Sequence, residues 1–284
     1  MENRIRTVAA ADITNLVERL CIEACCNLSP DIEAAIGRGA KTDRSPLAKS
    51  VLETLLQNAH IARTEQAPMC QDTGMTVVFI TMGQDVHVEG GFIEEAINEG
   101  VRRGYQKGYL RKSVVSDPIR RENTQDNTPA VIHYEMVPGD AFHILVSPKG
   151  FGSENKSRLS MLTPSQGVEG VKEFVLETVS KAGANPCPPI IVGVGIGGTM
   201  ERAALMSKKA LLRPVGSTNP DPVLADLEAE LLDKVNRLGI GPAGFGGDTT
   251  ALAVHIIAGA THIAGLPVSV NIGCHATRHA EGSL

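Results

Sequence analysis

Glycine does most to restrict the folds open to this chain: 29 of its 284 residues are glycine, while it has no Trp, three Tyr and six Phe. Glycine reaches backbone conformations closed to other residues and lets main chains approach closely, so many positions must serve turns and tight contacts. With so few large rings, the core has to be filled by branched aliphatics and small side chains. At 42% hydrophobic and 21% charged residues there is apolar material for one large core or two modest ones, which excludes disorder as the dominant state. The formal net charge of −5 speaks against nucleic acid or an anionic membrane as partner. No apolar run approaches the roughly 20 residues a spanning helix needs, and residues 1–11 lack the form of a secretory signal, so the expected location is cytoplasmic.

Apolar periodicity sets the organisation. Ile13, Leu16, Val17, Leu20, Cys21, Ala24 and Leu28 recur at helical spacing. Ser29-Pro30 and Ser45-Pro46 each place a capping residue before a proline at the first helical position, and the second predicts a long helix through Leu56 and Ala59. Beyond Gly74 the period changes: residues 75–81 and 85–88 predict strands joined by a short link, followed by a helix over 92–109. Residues 131–136 and 141–147, separated by Pro138-Gly139-Asp140, predict a hairpin. Helices are expected near 168–181, 200–210 and 222–237, and strands at 252–257 and 266–272. Hairpins mixed with helices imply an α+β (mixed α/β) fold: a helical N-terminal part, then β-hairpins and a mixed sheet with packed helices. No linker or repeat interrupts the chain, so a single domain is expected over 1–284, with 1–60 helical and 61–284 carrying the chemistry.

Two features could carry function. Gly193-Val194-Gly195-Ile196-Gly197-Gly198 follows an apolar run and precedes an Ala- and Leu-rich helix, as in a dinucleotide fingerprint. The acidic residue required about 20 positions further on is missing, which makes a nucleotide-binding module the remote alternative. What the run retains is a glycine-rich turn at a helix N-terminus, whose free N–H groups suit an anion. The second feature is cysteine. Six cysteines in a cytoplasmic chain are thiols or metal ligands rather than a disulfide framework. An isolated cysteine is ordinarily a small buried hydrophobe, yet Cys70, Cys187 and Cys274 lie at segment edges among glycine and proline, where a thiol can project from a loop. Compact signatures such as C-x₂-C are absent. Residues 149–156 add glycine, hydroxyl, amide and ammonium groups suited to a small dianion. His262 lies between two apolar runs, where a hydrogen-bonded core residue is the commoner outcome.

Taken together these segments resemble the alpha subunit of two-subunit class I, iron–sulfur-dependent fumarate hydratase and L(+)-tartrate dehydratase. The matching stretches are Met69-Cys70-Gln71-Asp72-Thr73-Gly74, Ser116-Asp117-Pro118 with residues 123–129, residues 149–156, Pro186-Cys187-Pro188-Pro189, and residues 195–202, 241–247 and 261–267. The resemblance implies a [4Fe–4S] cluster held by Cys70, Cys187 and Cys274, with one iron left open as a Lewis acid. It also implies that Gln71, Arg111, Gly150 and Gly152 bind substrate and that Asp72 and His262 are catalytic, handling protons or orienting the leaving hydroxyl. The implied reaction is reversible hydration of fumarate to L-malate, with dehydration of L(+)-tartrate to oxaloacetate as the alternative. A separate beta subunit in an α₂β₂ assembly is expected to supply further substrate-binding groups and to cover a cluster whose last ligand, Cys274, lies ten residues from the end of this chain. Cys21, Cys25 and Cys26 are assigned no chemistry.

Overall fold

The computed structural model describes residues 5–284. β1 (Arg6–Ala9) leads into α1 (Ala10–Cys26), α2 (Pro30–Thr42) and α3 (Pro46–Glu65). There follow β2 (Met75–Gly83), β3 (Val86–Glu89), α4 (Ile93–Lys107), β4 (Val131–Val137) and β5 (Phe142–Lys149). The short α5 (Phe151–Glu154) and β6 (Arg158–Leu162) precede α6 (Gly167–Ala182), β7 (Ile190–Gly197), α7 (Met200–Ala210) and α8 (Pro222–Asn236). β8 (Ala251–Gly259), β9 (Leu266–Gly273) and β10 (Ala280–Ser283) complete the order, an α+β fold as the pattern implies. Ser45 caps α3, its Oγ accepting from the Ala48 N–H at 3.3 Å, whereas Ser29 makes no side-chain cap to α2.

The chain forms two compact units. One comprises the segment ending at Leu28 together with Ala59–Gly150 and Arg278–Leu284; the other comprises Ser29–Asn58 and Phe151–Thr277. In the first unit a four-stranded sheet has the order β10-β5-β2-β4. The face of α1 bearing Ile13, Val17 and Leu20 packs with Ile97, Val101 and Tyr105 of α4 against Val78, Ile80, Phe142 and Ile144. Burying each such aliphatic side chain is worth about 1.5–3 kcal/mol relative to exposure, which is why the period-3.6 pattern is readable in the sequence.

The expected hairpin does not form. β4 and β5 are separated by β2, which runs parallel to β4 and antiparallel to β5. Likewise β3 pairs in parallel with β1 rather than with β2. A Pro-Gly-Asp turn reverses the chain whether or not its flanks pair. The central place goes to β2 because Thr76–Ile80 is buried throughout, while β4 is half-exposed and suits an edge.

In the second unit the sheet order is β6-β9-β7-β8, with β7 antiparallel to β9 and parallel to β8. Val192 and Val194 of β7 share a core with Val175 of α6, Leu231 and Val235 of α8, and Val270 of β9. The other face of β7 meets α7 through glycine. A Cβ on Gly195 would lie 2.1 Å from the Ala203 carbonyl oxygen, and one on Gly193 would lie 2.2 Å from that of Ser207. The first glycines of the fingerprint-like run are therefore strand positions that admit a helix backbone; only Gly197 and Gly198, at positive φ, form the turn into α7.

Candidate functional site

The loop between α3 and β2 carries Cys70, Gln71 and Asp72. The Asp72 Oδ1 accepts from the Gly74 N–H at 3.0 Å, closing a turn that Gly74 completes at φ +77°. The Tyr105 hydroxyl, on the buried face of α4, bonds to the carbonyls of Thr73 at 2.9 Å and Gly74 at 3.0 Å, and the Asn127 amide donates to the Gly74 carbonyl at 3.2 Å. Thr73 Oγ1 donates to the Arg111 carbonyl at 3.1 Å, which sets Arg111, its side chain exposed, beside the loop. The Cys70 thiol is half-exposed and lies 3.6 Å from the Gln71 side-chain oxygen. Gly150 faces Asp72 as well: a Cβ there would sit 3.4 Å from Asp72 Oδ2. The first unit thus brings Cys70, Gln71, Asp72, Arg111 and Gly150 onto one loop cluster.

Behind the cluster, Met69 N–H donates to the Cys25 carbonyl at 3.0 Å, and the Cys25 thiol lies 3.9 Å from the Thr73 carbonyl. Burial pushes the Cys25 thiol up to about 12, against the opposing pull of the Arg278 guanidinium. Burial likewise raises Cys21 and Cys26. These three are protonated packing residues.

In the second unit, β7 and β9 are paired with Ile191 opposite Gly273, so the loops bearing Cys187 and Cys274 emerge side by side. His275 ties them together: its backbone N–H lies 3.3 Å and its Nδ1 3.0 Å from the Cys187 carbonyl. Cys187 is exposed at φ +55°, and the Cys274 carbonyl is held by the Thr277 N–H at 3.0 Å and hydroxyl at 2.7 Å. Gly152, in α5, has as its nearest neighbour the Asn185 carbonyl, 3.8 Å from where its Cβ would be.

His262 is not part of this arrangement. It follows β8, which runs parallel to β7, and so lies beyond the end of β7 opposite Cys187, with the length of that strand, about 23 Å at 3.3 Å per residue, between the two ends. There its exposed ring accepts from the Ala264 N–H at 3.2 Å and lines a cleft of about 480 Å³ with Thr199, Glu201 and Arg202. Among the described residues no three His, Cys, Asp or Glu side chains are gathered to hold a metal ion. Cys70 and Cys274 are half-exposed and Cys187 exposed, none of them in a disulfide, whereas the other three cysteines are buried; a thiol that reaches the surface has the chemistry of a soft-metal ligand.

Tyr105, Asn127, His275 and Arg278 shape these loops and were not assigned from the sequence. A lone Tyr at a helical core position or an Asn in a polar stretch gives no signal of its own. His275 and Arg278 stand inside the Cys274 segment, and that proximity was the only available sign.

Residues 14–283 match the family described as fumarate hydratase (Fumerase), which defines the chain by class as a hydro-lyase. A Methanocaldococcus jannaschii protein provisionally named L(+)-tartrate dehydratase subunit alpha is 44% identical over 94% of this chain and 96% of its own length. The L(+)-tartrate dehydratase subunit alpha of Escherichia coli K12 is 34% identical over 97% of this chain and 91% of its own length. The chain belongs to the fumarate hydratase family. Among the described residues no helix is long and apolar enough to cross a membrane.

Proposed function

We propose that this chain is the alpha component of a cytoplasmic two-chain hydro-lyase that interconverts fumarate and L-malate, working with a separate beta chain in an α₂β₂ assembly. The observation that carries this reading is the family match along almost the whole chain, joined to three surface thiols in loops and a preorganised Asp72 turn. Cys70, Cys187 and Cys274 would hold a [4Fe–4S] cluster. Bound by three thiolates, such a cluster would supply Lewis acidity toward the hydroxyl that leaves or enters.

This chain's own residues bind and orient. Arg111 and the backbone N–H groups at Gly150 and Gly152 pair with the substrate carboxylates, and Gln71 donates to them. Asp72, its carboxylate fixed by the Gly74 N–H, orients the departing hydroxyl and holds its proton. The separation along β7 keeps His262 from a cluster on its own Cys187 and Cys274. Its proton-handling role therefore falls on a second alpha chain, in keeping with α₂β₂.

A second reading is favoured by the names of the relatives: dehydration of L(+)-tartrate to oxaloacetate by the same groups. L-Malate and L(+)-tartrate differ by one hydroxyl, and discrimination depends on the polar group facing it. Anaerobic co-purification with the beta chain, iron and sulfide counting, and assays on fumarate and L(+)-tartrate test both. The reading fails if a cluster-loaded complex turns over neither substrate, and the two-chain part fails if the alpha chain alone works at the full rate.

A further inference from the structure

Arg278 occupies a place that surface charge does not explain. It is 2% exposed, and an arginine buried to that degree needs its donors directed at acceptors. Its Nη2 donates to the Asp72 carbonyl at 2.5 Å and its Nε to the Pro148 carbonyl at 3.4 Å. Its own carbonyl accepts from the Ser147 hydroxyl at 3.3 Å. The position follows from register: β10 pairs with β5 so that Ala280 faces Val146, which sets Arg278 opposite Pro148. From there the guanidinium reaches the Asp72 turn. The bare face of Gly150 brings the two together, since a Cβ on it would be 3.4 Å from Asp72 Oδ2 and 3.6 Å from Arg278 Nη2. A planar fork spanning two carbonyls is something Arg provides and the point charge of Lys does not.

We propose that Arg278 is a positioning residue for Asp72: by clamping the Asp72 carbonyl to β5 beside Gly150, it sets the direction of the Asp72 carboxylate. The inference rests on the function proposed above only for its catalytic meaning; the clamp itself is a property of the first unit. The Gly74 N–H, which bonds Asp72 Oδ1, reports on that carboxylate directly.

The test is amide hydrogen exchange on the full-length chain carrying Arg278→Met or Arg278→Lys, beside the unaltered protein. Loss of one charge-assisted hydrogen bond predicts exchange at Gly74 about tenfold faster in Arg278→Met, with Arg278→Lys in between and the buried amides of Ile97 and Val101 in α4 unchanged. In the assembled holoenzyme kcat falls by about tenfold while KM stays within about twofold, because the lost interaction orients Asp72 rather than binding substrate. Gly74 exchange equal to that of the unaltered protein, or acceleration shared equally with α4, overturns the proposal. Should Arg278→Met fail to fold, Arg278→Lys and Ser147→Ala decide it by the same readout. An unaltered holoenzyme inactive on both diacids would refute the functional reading and leave the exchange result standing.

Discussion

Replacing Gly195 with Ala tests how β7 and α7 are built. The added Cβ would stand 2.1 Å from the Ala203 carbonyl oxygen and 2.7 Å from the Ser207 nitrogen, both helix backbone. An ordinary carbon–oxygen contact needs about 3.3 Å, so α7 must retreat by about 1 Å. A radial gap of that size forfeits about a quarter to a half of the dispersion energy of the atoms it separates, here those of Ala203, Met206 and Ser207. Overpacking costs about 1–3 kcal/mol, and an obstacle made of backbone puts this case near the upper value. At about 2–4 °C per kcal/mol for a chain approaching this size, melting should fall by about 6–12 °C. The control is Gly37→Ala in α2, where nothing lies within 4 Å of the new Cβ. Removing a helix-interior glycine there should stabilise by about 0.5–1 kcal/mol, the opposite sign. Thermal unfolding of both variants by far-ultraviolet circular dichroism decides the matter. A Gly195→Ala midpoint within about 2 °C of the unaltered chain would refute the packing account. A rise in midpoint on adding dinucleotide to the unaltered chain would restore the nucleotide-binding alternative.

Three further predictions follow from the same structure. Cys274→Ala should lower iron and sulfide per chain and abolish turnover, whereas Cys21→Ser, a buried thiol beside α4, should cost about 1–2 kcal/mol in urea titration and leave turnover intact; an active Cys274→Ala enzyme removes that ligand from the proposal. Glu228→Ala should destabilise by about 3–5 kcal/mol in the same titration, because it strands the Arg213 guanidinium and frees the Asn219 amide and Ile256 N–H that the carboxylate accepts from at 2.7 Å each. Burial, aided by the Arg213 charge, holds the His255 imidazole below its ordinary value. Its contribution to stability is therefore complete above about pH 6.5 and is lost as pH falls through the depressed folded value, since the unfolded chain then binds the extra proton. Melting curves from pH 7.5 to 5.5 should steepen in their pH dependence below about 6.5, and His255→Gln should flatten that slope.

Helices were legible because their apolar faces repeat locally: Ile13, Val17 and Leu20 sit on α1 as the spacing requires, and α7 and α8 begin within a residue of their expected starts. Strand existence was legible too, but strand partners were not. β4 and β5 flank a turn and yet both pair with β2, a choice made by burial across the sheet. Short strands such as β6 and β10 fall below any periodicity window, and β10 is the element whose register carries Arg278 to the Asp72 turn. Among the loops, cysteine and glycine contexts marked Cys70 and Gly150 in the first unit and Cys187 and Cys274 in the second. The supports from Tyr105, Asn127 and His275 are contacts between residues far apart in sequence, which leave no local pattern.

By itself the sequence determined the chemistry on offer and its class: six thiols, a glycine-rich chain with an aliphatic core, and motifs in the order of the fumarate hydratase family, a hydro-lyase class. These are properties of residue type and local spacing. Tertiary structure alone decided which thiols are inert, since burial raises Cys21, Cys25 and Cys26. It also decided that the glycines of β7 admit a helix backbone, and that His262 stands at the far end of β7 from Cys187. Burial, close approach and strand direction are relations between distant segments, and they exist only once those segments have packed.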